Sequence, residues 1–87
     1  MNRKVSIMEL RNSAKEMTLR INKLGGVRAI KNEIVMLKHI RTQSSDSPVV
    51  VADYENRILA KQWSLTECEE LESSRDEVYT EMYLRGF

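Results

Sequence analysis

His39 and Cys68 are the sole histidine and the sole cysteine of the 87-residue chain, so any thiol–imidazole chemistry must use this one pair. A thiol–imidazole pair needs the fold to bring the two together and a third group to orient the ring. No such third group is marked by spacing, and the reading is a packed or surface histidine and an inert buried thiol. Zinc needs about four well-placed ligands, and one His with one Cys does not supply them. Glu67, Glu69, Glu70 and Glu72 are four carboxylates in six positions. On a helix they point several ways, which describes a solvated acidic face. Gly25-Gly26 is followed by Val27 and by no Lys-Ser/Thr, so it is not a phosphate-binding loop. The sequence assigns no catalytic residue, no metal ligand and no cofactor, and the expectation is a protein that is not an enzyme.

Charge carries more information. Residues 1–43 hold ten Lys/Arg and three Glu, residues 44–63 carry one net negative charge, and residues 64–87 hold seven acids against two arginines. The net charge of +1 therefore conceals a basic front and an acidic end. Such asymmetry bears on association and steering rather than on fold. Arg3, Lys4, Arg11 and Lys15 open the basic half and are the candidate phosphate contacts of a nucleic-acid reading.

The elements that would position these groups are helices. Ile7, Leu10, Ala14, Met17, Ile21 and Leu24 are spaced 3, 4, 3, 4, 3, the stripe of a helix that packs on another helix. Gly25-Gly26 ends it. Val27, Ile30, Ile34 and Leu37 then predict a second helix over about 27–42, with a short buried strand at 34–37 as the competing reading of the IVML run. Thr42–Pro48 is a small-polar loop closed by the one proline, which also suits the first position of a helix capped by Ser47. Val51, Tyr54 and Ile58 continue the helical spacing over about 49–61, although Val49–Val51 could also start a strand. Ser64 and Glu67 match the S-x-x-E capping pattern, with Trp63 placed to staple onto Cys68, and predict a fourth helix from there to Arg85.

The expected architecture is mainly α: a small bundle of three or four helices with an antiparallel helical hairpin about Gly25-Gly26. It divides into a basic hairpin over 1–43, a linker over 44–48 and an acidic helical half over 49–87, in one compact domain. A chain this short buries only roughly 60–65% of its unfolded surface, so a partner chain would stabilise it. The Ile7–Leu24 stripe is the expected seam of a homodimer. Leu71, Val78, Tyr79, Met82 and Tyr83, ringed by Glu69, Glu72, Asp76 and Glu77, are the expected anchors for another protein. The longest apolar runs have four residues, far short of the roughly 20 that span a bilayer. One cysteine allows no internal disulfide, and MNRKVSIMEL has no apolar core of a signal peptide. These features point to the cytoplasm and away from membranes.

Val5–Met17, VSIMELRNSAKEM, resembles the opening of Phd/YefM-type antitoxins, with Glu9-Leu10-Arg11 at the start of the helix. Ser47–Ile58, SPVVVADYENRI, is similar to that family's later strand and helix with its Asp-Tyr pair, here Asp53-Tyr54. The resemblance implies a dimeric DNA-binding front half and a toxin-binding acidic tail. The function expected from the residues themselves is a small regulatory, inhibitory or adaptor protein that binds another protein through amphipathic helices. The antitoxin-like DNA-binding regulator is the alternative.

Overall fold

A computed structural model describes residues 5–86 and consists of three helices: α1 (Ile7–Leu24), α2 (Val27–Gln43) and α3 (Pro48–Leu84). The described residues contain no strand. The IVML run at 34–37 and Val49–Val51 are both helical, so neither of these alternative strands is formed. Arg3 and Lys4 lie outside the described residues.

Local chemistry explains each boundary. Ser6 is the N-cap of α1, its Oγ accepting from the Glu9 N–H at 3.1 Å, which satisfies one of the helix's unpaired donors. At the other end Gly25 takes the left-handed conformation with φ 108°. Its N–H donates to the Asn22 carbonyl at 3.1 Å, and the Gly26 N–H donates to that of Ile21 at 3.0 Å, the pair of bonds that defines a Schellman end. Gly26 has φ 84° and ψ 152°, a region that only glycine enters cheaply. Its carbonyl already accepts from the Ile30 N–H at 3.1 Å, so α2 begins at once.

The expected hairpin about Gly25-Gly26 is therefore corrected. The two glycines bend the chain without reversing it, and α1 and α2 form one bent arm laid along α3. The reversal comes at 44–47, where the Ser47 N–H donates to the Ser44 carbonyl at 3.0 Å and Pro48 takes the first turn of α3. Ser47 is the N-cap by position, but its side chain makes no capping bond.

A second correction concerns α3. The expected helices at 49–61 and from Ser64 onward are one uninterrupted helix of 37 residues. Ser64 sits in its middle, its Oγ donating to the Ala60 carbonyl at 3.3 Å, and Trp63 stands in solvent instead of stapling onto the buried Cys68. The seam that faces α1 and α2 runs through Val51, Tyr54, Ile58, Lys61, Leu65, Cys68, Glu72, Arg75, Tyr79 and Met82, at alternating spacings of three and four. A repeat of 3.5 residues keeps a long helix in contact with an antiparallel neighbour.

The core lies where the bent arm changes direction. Ile21, Ile30, Ile34, Ile58 and Cys68 form its buried cluster, with Leu24, Val27, Leu37, Leu65 and Leu71 packed around it. The molecule measures 59 × 24 × 16 Å with a radius of gyration of 18.4 Å, against about 12 Å for a compact domain of this length.

The two glycines separate the backbone requirement from packing. A Cβ on Gly25 would meet Ile30 Cγ1 at an ordinary 3.9 Å and one on Gly26 would meet nothing within 4 Å, so neither substitution clashes. Gly25→Ala should cost about 1–2 kcal/mol from the left-handed conformation alone, and Gly26→Ala about 1–3 kcal/mol. Urea unfolding followed by circular dichroism checks this, and unchanged stability in both variants would contradict the bend.

Candidate functional site

The side chains that could do chemistry are not brought together. Cys68 is completely buried level with Ile21, its Sγ donating a long contact to the Ile21 carbonyl at 3.9 Å. His39 is exposed in the last third of α2. Glu67, Glu69 and Glu70 are exposed on α3 while Glu72 is half-buried. Among the described residues no group of three or more His, Cys, Asp and Glu is placed to hold a metal ion, and no described helix is long and apolar enough to cross a membrane.

What the structure does present is apolar surface. Between α1 and the end of α3 runs a groove of about 320 Å³ lined by Ala14, Thr18, Leu19, Tyr79 and Met82, with Arg11 and Lys15 on its α1 edge. Leu19 is 61% exposed and Tyr83, one residue beyond Met82, is 77% exposed. Between α2 and the start of α3 lies a second groove of about 410 Å³, floored by Met36, Leu37 and Ile40 and rimmed by Glu33, Arg57 and Lys61. Trp63 lies on another face of α3, 73% exposed, over a shallow hollow shared with Ser64, Thr66, Glu67 and Glu70.

The residues singled out in the sequence distribute as follows. Of the Ile7–Leu24 stripe, Leu10, Ala14 and Ile21 are buried and Ile7, Met17 and Leu24 are half-buried, all on the arm that packs against α3 of the same chain. Among the tail anchors Met82 is buried, Leu71 and Val78 are half-buried, and Tyr79 and Tyr83 are exposed. Glu69, Asp76 and Glu77 are exposed, whereas Glu72 lines the hollow beside Gly25 and Gly26 with Arg75. Arg11 and Lys15 are exposed at the groove edge.

The α2 groove and Trp63 escaped the sequence reading. Their signal was a second stripe on α3: Val49, Ala52, Asn56, Leu59 and Trp63 repeat the 3, 4, 3, 4 spacing, offset from the seam that faces the arm. Spacing alone does not separate this stripe from the core face that Val51, Tyr54 and Ile58 mark over the same residues.

Ion pairs between exposed side chains join the arm to α3. Arg20 pairs with Glu67 at 2.8 Å and Lys61 with Glu33 at 2.6 Å. All four side chains are 40% exposed or more, so each pair is worth at most about 1 kcal/mol. At the open end the Arg85 guanidinium donates to the Val5 carbonyl and pairs with Glu81. Arg75 is the exception to surface pairing. It occupies the seam, donates through one terminal nitrogen to Thr18 Oγ1 at 3.0 Å, and leaves its Nε buried without a partner.

No protein-family model, no curated protein and no solved structure matches this chain. The functional reading accordingly rests on these surfaces.

An unpaired buried donor costs about 1–3 kcal/mol, and replacing a buried polar group by an apolar one of similar shape is often neutral or stabilising. Thr18 also donates to the Ala14 carbonyl at 3.0 Å and stays satisfied without the arginine. Arg75→Met should therefore leave stability unchanged or raise it by about 1 kcal/mol, as read from the urea midpoint. A loss of more than about 1 kcal/mol would mean that the guanidinium holds the seam.

Proposed function

We propose that the chain is a small non-enzymatic regulatory or inhibitory protein that acts by binding another protein, and that the α1–α3 groove receives an amphipathic helix of that partner. The observation that carries the reading is that Leu19 and Tyr79, both exposed, line a groove together with Ala14, Thr18 and Met82, with the exposed Tyr83 one turn beyond Tyr79. A groove of this kind takes anchors spaced three and four residues apart on an incoming helix. Tyrosine suits the purpose because it adds large contact area while its hydroxyl keeps a polar partner.

The groove has a basic edge. Arg11 and Lys15 stand on its α1 side. The matching partner helix carries acids along that edge. A complementary edge sets its orientation and speeds its arrival more than it raises affinity. The acidic tail thus has two tasks in this reading: its seam residues hold α1, and its outward side chains meet the partner.

A benzophenone amino acid at Leu19 should give a discrete crosslinked adduct in cells, absent when the same group is placed at Gln62. Tyr79→Ala should weaken capture about tenfold or more, which is the loss of a single interface anchor of about 1.4 kcal/mol or above. Equal adducts from Leu19 and Gln62, or capture indifferent to Tyr79→Ala, would contradict the assignment.

A further inference from the structure

We infer that the opposite, loop-proximal half of the molecule binds a second copy of the same chain, with Trp63 of each copy seated in the Met36–Leu37–Ile40 groove of the other. This face is separate from both the Ile7–Leu24 stripe and the partner groove.

The first argument is that α3 carries two seams. One packs on the arm, and the other, Val49, Ala52, Asn56, Leu59 and Trp63, packs on nothing in this chain: Val49, Leu59 and Trp63 are 81%, 52% and 73% exposed. Apolar side chains left bare on this helix, Trp63 above all, suit it to a second neighbour.

The second argument is area. The chain exposes 6784 Å², whereas a compact monomer of its 10.2 kDa mass exposes about 5,300 Å². The excess of roughly 1,500 Å² exceeds the approximately 800 Å² per partner of an ordinary stable interface. A second elongated hairpin can cover surface on that scale along its length.

The third argument is self-complementarity, which twofold interfaces require. On α3, Arg57, Ala60 and Trp63 lie three residues apart in one slanting row, because residues at that spacing are neighbours on a helix surface. Arg57 borders the groove, Trp63 is the protruding anchor, and Ala60 stands midway, exposed and small. If two α3 helices cross antiparallel at Ala60, position 63 of one meets position 57 of the other, and the reverse holds equally. Each indole then lies on Met36 and Ile40. Arg57, already paired with Asp53 and lying over the Tyr54 ring, flanks the indole, and the Glu33 carboxylate at the rim, paired with Lys61, can also accept its N–H.

Trp63 is the sole tryptophan, so its fluorescence reports this contact directly. Sedimentation from 5 to 500 µM should show a dimer, with an emission maximum that shifts to the red and acrylamide quenching that rises as the dimer dissociates. Trp63→Ala and Met36→Glu should each weaken association at least tenfold with helical circular dichroism retained, since both side chains are mostly exposed. Val35→Glu, exposed one position away, should leave association unchanged. Mixing Trp63→Ala with Met36→Glu restores one intact indole-in-groove contact, and heterodimers should form at concentrations where each variant alone is monomeric. A monomer throughout the range, a dimer indifferent to Trp63→Ala, or a mixture that stays monomeric would overturn the proposal.

Discussion

The meeting of Ile21, Ile30 and Cys68 across the break between α1 and α2 is the contact on which the rest of the hairpin depends. The Ile21 carbonyl receives the Gly26 N–H at the helix end and the Cys68 thiol from α3, while Ile30 and Cys68 are the two most completely buried side chains. Because the arm is interrupted here, α3 must run unbroken beneath it, and a small sulfur at position 68 lets the bend approach closely. A core this narrow removes modest apolar area, which leaves stability sensitive to single positions.

Antiparallel pairing also accounts for the opposed charges of the two ends. It lays the basic α1 beside the acidic half of α3, so the opposed fields offset each other at short range. Arg20–Glu67 and Lys61–Glu33 are exposed and individually weak. The polar residues that interrupt the α3 seam, Lys61, Glu72 and Arg75, have a different consequence. They would be unfavourable in any register that buried them away from water or from their partners, which narrows the alignments open to a smooth apolar stripe.

Helix content and most helix faces were legible in the residues because the 3, 4 spacing reports a buried stripe directly. Gly25 as a helix end and Pro48 as a helix start were legible for equally local reasons. Direction was not. A glycine pair ends a helix whether the chain then turns back or continues, and only the length of the surface offered by α3 decides between them. Local pattern misled at Ser64 and Glu67: the same S-x-x-E spacing is a true cap at Ser6 and Glu9, where the chain enters a helix, and is inert where flanking residues already carry the helix through. The α3 side of the α1–α3 groove, Tyr79 and Met82, was visible in the stripe of the tail, but its α1 wall needed the antiparallel pairing. Trp63 was misread because a staple presumes a helix start that does not exist.

The central claim is that the chain reverses once, at 44–47, with the arm bent and not folded at Gly25-Gly26. Spin labels on cysteines introduced at the exposed positions Met8, Gln43 and Tyr83, in a Cys68→Ala background diluted with unlabelled chain, test it by pulsed dipolar spectroscopy. The account predicts a short 8–83 distance of about 10–20 Å, since the two helices pack at about 8–10 Å. It also predicts an 8–43 distance approaching 50 Å, the length of about 35 helical residues at 1.5 Å each. A short 8–43 distance with a long 8–83 distance would place the reversal at the glycines and contradict the account.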